Sequence, residues 1–221
     1  LRQGCFLGET RSCAQLFRES ERRCHNDQLN QEERSEACLD SGVLIERELT
    51  PQDQTGAELS ALNLYDSACE LGEARGCLYA GVLYEQGKGV ARSLRLAVEK
   101  YRKACDSKVP EGCNNYGQLF VNGASDGKYS LPRDEIEAQR HLPPCEDGRN
   151  VVSCNSHGLL ADRRGEWAKA QQFFGRACNG RHAQGCINLG IAYEEGRDGQ
   201  PRYREAEQAW QHALELTGKL H

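Results

Sequence analysis

The sequence predicts an all-α solenoid, a stack of short helix pairs, and three observations carry that prediction. Cysteines return in pairs at a fixed period: Cys69 and Cys77 enclose seven residues, and 36 residues later Cys105 and Cys113 enclose seven more. A period of that size is what a stacked repeat leaves in a sequence. After each of these second cysteines the same spacing follows, with glycine after four residues (Gly81, Gly117), an aromatic after seven (Tyr84, Phe120) and glycine after ten (Gly87, Gly123). The third observation is Ala97, Tyr101 and Ala104, a small-large-small stripe at helical spacing. Two helices per repeat account for all three. The first glycine admits a crossing helix, the aromatic lies one turn on along the same face, and the second glycine ends the helix in a left-handed cap.

Taken in order, LRQGCFLGETRSC matches the turn SACELGEARGC, with Cys5, Gly8, Glu9, Arg11 and Cys13 on Cys69, Gly72, Glu73, Arg75 and Cys77. Cys24 follows Cys13 by only 11 positions, whereas Cys105 follows Cys77 by 28. Residues 1–36 therefore predict an irregular cap with a partial repeat, CAQLFRESERRC being one helix and HNDQLNQEERSEA a polar loop and helix start. Residues 37–217 predict the regular array and a C-terminal capping helix. CLDSGVLIE aligns on CLYAGVLYE, Ala61, Tyr65 and Ala68 form the next stripe, and TPQDQTG between them is a turn. The loop ASDGKYSLPRDE is enlarged, and Pro143 and Pro144 end the helix before Cys145. The following repeat keeps Gly158, Ala170, Phe174 and Ala177 but shrinks its loop to a turn at Gly165, with Trp167 opening the next helix. The last keeps Gly190, Tyr193, Gly196, Ala206, Trp210 and Ala213, and Leu214 stands where a first cysteine would, reading as an apolar terminal cap.

The phrase AGVLYEQGKGV, followed by AVEKYRKAC and a partner cysteine eight positions on, resembles the Sel1-like repeat proteins, relatives of the tetratricopeptide repeats, and in particular their cysteine-rich, Hcp-type subgroup. The resemblance covers roughly residues 37–217. It implies a right-handed α/α solenoid of Sel1-like helix pairs stapled by disulfides. The bridges it implies are Cys5–Cys13, Cys24–Cys38, Cys69–Cys77, Cys105–Cys113, Cys145–Cys154 and Cys178–Cys186, each clamping the turn between two helices. Closing a loop of eight residues is worth about 2.6 kcal/mol on the chain-entropy model, and the bridges require an oxidising compartment. The competing reading is metal ligation in a reducing cytosol. Zinc sites pair cysteines two to four residues apart, and neither that spacing nor a thioredoxin-like CxxC occurs here.

Composition excludes several functions. The net charge of −5 comes from 28 basic and 33 acidic residues in mixed order, which argues against a nucleic-acid partner. No apolar run reaches membrane-spanning length, and the mean hydropathy is −0.74. The chain contains no methionine, so Leu1 is not expected to be a translation start. The expected location is periplasmic or secreted, with the mitochondrial intermembrane space as the alternative that the resemblance offers. A monomer is expected, with no cofactor.

Catalytic motifs fail on context. Ser125–Lys128 spell S-x-x-K, which draws attention because the resemblance links Hcp-type proteins to penicillin binding; in serine acylating enzymes that motif opens a helix and is accompanied by K-T-G and S-D-N. Here it lies in a glycine-flanked loop without those partners. GVLYEQGKG differs from a phosphate loop in its spacing and its last residue and reads as a helix with its cap. The histidines (His25, His141, His157, His182, His212 and His221) lack ligand spacing, so neither a catalytic nor a metal site is expected. A β-lactam-binding or weakly hydrolysing enzyme remains the alternative.

Function is therefore expected from a concave face lined by the first helix of each pair, binding a protein or an extended peptide. If the family geometry carries over, outward positions fall one, five, eight and nine residues after each second cysteine. The expected contact residues are Leu78, Val82 and Glu85; Asn114, Gln118 and Asn122; Asn155 and Leu159; and Ile187 and Ile191. Asn114 and Asn155 are expected to pair with a peptide backbone, since an amide both donates and accepts.

Overall fold

The computed structural model describes residues 10–48, 54–145 and 150–218. Its helices are α1 (Thr10–Cys24), α2 (Gln31–Glu48), α3 (Gln54–Glu70), α4 (Ala74–Gln86), α5 (Leu94–Asp106), α6 (Pro110–Asn122), α7 (Glu135–His141), α8 (Val151–Arg163), α9 (Trp167–Asn179), α10 (Ala183–Glu195) and α11 (Tyr203–Leu216). A two-stranded hairpin, β1 (Ala124–Ser125) and β2 (Ser130–Leu131), interrupts them. The chain divides into two compact units. The first holds the described residues up to Cys113 together with Ser125–Ser130, the second Asn114–Ala124 and the described residues from Leu131 on.

Consecutive helices pack in pairs, α2 with α3 and α4 with α5 in the first unit, α8 with α9 and α10 with α11 in the second. Two kinds of small-residue contact set the crossings. A Cβ on Gly42, Gly81, Gly158 or Gly190 would fall 2.5, 2.7, 2.5 or 2.1 Å from the ring of Tyr65, Tyr101, Phe174 or Trp210, so the aromatic of each second helix lies against the bare backbone of the first. A Cβ on Gly76, Gly112 or Gly185 would fall 2.7, 2.6 or 2.5 Å from the Cβ of Ala68, Ala104 or Ala177, which fixes the approach of one pair to the next. The small-large-small stripe is thus buried: Ala97, Tyr101 and Ala104 are at most 1% exposed, and Ala170, Phe174 and Ala177 at most 3%. Within the second unit Ala170 and Phe174 join an apolar cluster with Leu189 and Ala209, and Val121, Ala138, Leu142 and Leu160 form another.

The turn between pairs is the same chemistry three times. The residue three beyond the first cysteine, Gly72, Lys108 or Arg181, takes φ of 93°, 65° or 68° and donates its N–H to that cysteine's carbonyl. The next N–H, of Glu73, Val109 or His182, donates to the carbonyl of Ala68, Ala104 or Ala177. This is a Schellman motif, which satisfies the carbonyls a helix end leaves open. Glu73 and His182 then cap the helices that follow. Across these turns the cysteines are bonded: Cys69–Cys77, Cys105–Cys113 and Cys178–Cys186 have Cα–Cα distances of 4.6, 4.3 and 4.4 Å. Cys24–Cys38 and Cys145–Cys154 are bonded as well, at 4.7 and 4.9 Å. The expected Cys5–Cys13 bridge lies outside the described residues, as does most of the TPQDQTG turn.

The deformed repeat has a local cause. Gly117 meets Leu142 rather than His141, because the helix ends at His141 and the two prolines displace the register. Where other repeats have Gly76 or Gly112, this one has Ser153, whose hydroxyl donates to the carbonyl of Pro143. Leu214, read as an apolar cap, is 42% exposed.

Candidate functional site

The first helices supply the expected contact residues, and the structure sorts them by slot. One residue after the second cysteine, Leu78, Asn114 and Asn155 are buried at 8, 4 and 1% exposure, while Ile187 stands 36% exposed. The expectation that Asn114 and Asn155 face outward is thereby corrected. In the second unit this slot looks into the seam between consecutive first helices: Asn188 on α10 donates to Asn155 Oδ1 on α8 at 2.8 Å. Asn114 donates to Asn150 Oδ1, the residue that also caps α8. Leu78 is likewise core in the first unit. A buried amide is stable only when paired, so these side chains hold the stack and are not presented to a partner.

The later slots remain accessible to different degrees. Val82, Gln118 and Leu159 are half-buried, and Asn122 is exposed. Ile191, one turn beyond Ile187 on α10, is 42% exposed. Glu85 is already engaged, accepting a hydrogen bond from the Tyr101 phenol at 2.6 Å. The same slot in the preceding repeat, Glu46, accepts from Tyr65 at 2.6 Å, and two repeats further on Asp162 meets Arg197 at 3.3 Å. Burial, and then the Glu46 hydrogen bond, push the Tyr65 hydroxyl far above the ordinary phenol range, so it remains a donor at any physiological pH. Tyr84 behaves alike, through burial first and its 2.6 Å bond to Asp66 second. Asp66 also pairs with Lys100, which is 7% exposed. This Lys100–Asp66–Tyr84 group joins α5, α3 and α4.

The S-x-x-K stretch is a turn. Ser125 Oγ accepts from Gly127 N at 3.3 Å; Asp126 Oδ1 accepts from Lys128 N and Tyr129 N at 2.9 and 2.8 Å. Asp126 Oδ2 accepts from Leu94 N at 2.7 Å, tying the hairpin to the start of α5, and these three backbone donors, Leu94 first, hold its carboxyl below the usual range. The motif therefore builds a loop, in contrast to the helix start that acylating serines require. GVLYEQGKG is the end of α4 with its left-handed cap at Gly87, φ 69°. His141 packs on Tyr116 at 4.6 Å, and His157 stacks on Phe173 at 5.5 Å.

One cluster has no signature in the local sequence. His212 Nδ1 lies 3.5 Å from Cys178 Sγ and 3.8 Å from Cys186 Sγ. Its ligand atoms come from α9, α10 and α11, so no local spacing announces it. The available signal was the slot itself, since Lys103 and Arg176 occupy it in other repeats.

No protein-family model matches the chain. It is similar to "Cytochrome c oxidase assembly factor 7" of Xenopus tropicalis, 28% identical over 130 residues, and to "Cytochrome c oxidase assembly factor 7A" of Xenopus laevis, 33% identical over 130 residues. Each match covers 54% of either chain, so this chain spans about half the length of those curated relatives. A shorter stretch of 35 residues, 16% of this chain, is 46% identical to "Beta-lactamase HcpA" of Helicobacter pylori and covers 14% of that protein. Among solved structures, a Sel1 repeat protein from Oxalobacter formigenes superposes with a TM-score of 0.60 at 17% identity, covering 93% of this chain and 84% of its own. A protective antigen of uropathogenic Escherichia coli with an SLR fold gives 0.55 at 18% identity, over 92% and 48%. With its cysteine-paired turns, its glycine–aromatic crossings and these neighbours, the chain has the fold of the Sel1-like repeat proteins.

Proposed function

We propose that the chain is a non-enzymatic interaction scaffold of the assembly-factor kind, working in an oxidising compartment and holding a protein or peptide against the exposed face of its first helices. The observation that carries this reading is the pair Ile187 and Ile191, two β-branched apolar side chains one turn apart on α10, 36 and 42% exposed. Aliphatic groups so placed gain by being covered. Asn122 and Gln118 on α6 and Leu159 on α8 add polar and apolar contacts at corresponding slots. The likeness to a protein named as a cytochrome c oxidase assembly factor supports the assembly role, and the bonded cysteines support the compartment. Between the candidate locations, the assembly-factor likeness favours the mitochondrial intermembrane space over the periplasm or the exterior.

A photocrosslinking residue placed at Ile191 in the native compartment tests the reading. The expected result is a discrete protein adduct, absent when the same residue is placed at the exposed Gln172 of α9. Equal, diffuse labelling from both positions would overturn it. The rival reading, suggested by the short likeness to a β-lactamase, predicts turnover of a chromogenic β-lactam that is lost in Ser125→Ala. The scaffold reading predicts no turnover by either protein.

A further inference from the structure

We infer that, once the Cys178–Cys186 bridge is reduced, Cys178 Sγ, Cys186 Sγ and His212 Nδ1 form a three-ligand site for a thiophilic d10 cation, for which Zn2+ is the probe. The three ligand atoms lie within 4.8 Å of one another. In a tetrahedral zinc site, with bonds of about 2.3 Å to sulfur and about 2.0 Å to nitrogen, a nitrogen–sulfur edge is about 3.6 Å and a sulfur–sulfur edge about 3.8 Å. The two nitrogen–sulfur edges already stand at 3.5 and 3.8 Å. Only the sulfur–sulfur edge must open, which turning either cysteine side chain after reduction accomplishes.

The slot argument singles out this bridge. Two residues before the first-cysteine position the other repeats carry Ser67, Lys103, Pro143 or Arg176. Arg176 uses that place to donate to the carbonyl of Cys145 at 2.9 Å. A cation or a proline there offers no metal ligand, whereas neutral imidazole does. Among the described residues, this is the cluster in which two sulfurs and a ring nitrogen converge.

The site is also held by contacts other than the disulfide. Gly185 on α10 faces Ala177 on α9 so closely that an added Cβ would lie 2.5 Å from its Cβ, and Gly190 on α10 lies beneath Trp210 on α11. These approaches pin the three ligand-bearing helices whether or not the sulfurs are bonded. Cys178 and Cys186 are 4 and 0% exposed, and His212 is half-buried, so a cation would enter from the imidazole side. Three protein ligands leave the fourth position to water or to a ligand from another molecule.

The chemistry balances with a dithiol or phosphine reductant. A dithiol gives up two thiol hydrogens and becomes a disulfide, the protein S–S bond breaks, and two protein thiols form; the cation then displaces both thiol protons to solvent. Redox state thus decides between a staple and a metal site.

The test uses the full chain, reduced under nitrogen and titrated with Zn2+ against a chromogenic chelator, alongside His212→Gln and Lys103→Gln. X-ray absorption is recorded at one equivalent. The expected result is a first equivalent with two sulfur and one nitrogen ligands, weakened at least tenfold by His212→Gln and unchanged by Lys103→Gln, while the oxidised chain does not compete with the chelator at that affinity. A first equivalent bound by sulfur alone overturns the proposal. So does one indifferent to His212→Gln, including the case in which reduced, unfolded chain collects zinc on scattered thiols.

Discussion

Asn188 on α10 donates its side-chain amide to Oδ1 of Asn155 on α8 at 2.8 Å, and Asn155 is 1% exposed. This bond crosses from one first helix to the next and makes Asn155 part of the stack. Removing it leaves the half-buried Asn188 amide without its acceptor, and a hydrogen bond of this kind is worth about 0.5–1.5 kcal/mol. Asn155→Ala should therefore lower the unfolding free energy by that amount in a denaturant titration, with crosslinking from Ile191 unchanged below the transition.

The glycines under aromatics give a second expectation. Gly158→Ala sets a methyl group 2.5 Å from the Phe174 ring, and overpacking of this kind costs about 1–3 kcal/mol. Gly175, inside α9, has nothing within 4 Å of an added Cβ. Gly175→Ala should accordingly stabilise by about 0.4–1 kcal/mol through helix propensity and loss of unfolded-state freedom. Melting curves of the two variants should move in opposite directions.

His182 ties stability to pH. Its Nδ1 accepts from Gly185 N at 3.1 Å, capping α10, and only neutral imidazole can accept there. Burial holds its pKa below the ordinary 6.5. Between the depressed value and 6.5 the unfolded chain binds a proton that the folded chain does not, so stability rises with pH in that window. The contribution is complete above pH 6.5 and is lost as pH falls through the folded value. His182→Asn keeps a capping oxygen without titrating, and the difference in melting temperature between wild type and this variant should change across that window and be constant above it.

Reduction gives the fourth expectation. The closed loops of eight residues each remove about 2.6 kcal/mol of unfolded-state entropy. The glycine–aromatic and glycine–alanine crossings do not depend on the sulfurs. Full reduction should lower the melting temperature strongly while helical circular dichroism survives at low temperature. A melting temperature indifferent to reductant would contradict the stapling account.

The repeat was legible because its constraints are local and periodic. Gly81, Tyr101 and Gly87 each announce a crossing, a core ring and a cap by residue type and spacing alone. The direction of Asn114 and Asn155 was not legible. A polar residue on a first helix is expected at the surface, and nothing local says that the next first helix covers that slot. The engagement of Glu85 is hidden for the same reason, its phenol partner Tyr101 lying on another helix 16 residues away. His212 was hidden more thoroughly, since its chemistry exists only where α9, α10 and α11 meet. Ile187 and Ile191, expected to face outward on α10, stand exposed there.

The central claim is that this scaffold holds a protein partner through the exposed face of α10. Its most direct measurement is quantitative capture from the native compartment, under non-reducing conditions, with wild type, the Ile187→Glu/Ile191→Glu double variant and Gln172→Glu as control. The account predicts a defined partner retained by wild type and control and depleted at least tenfold by the double variant, whose melting temperature is unchanged. A partner retained equally by all three would place binding elsewhere and contradict the account.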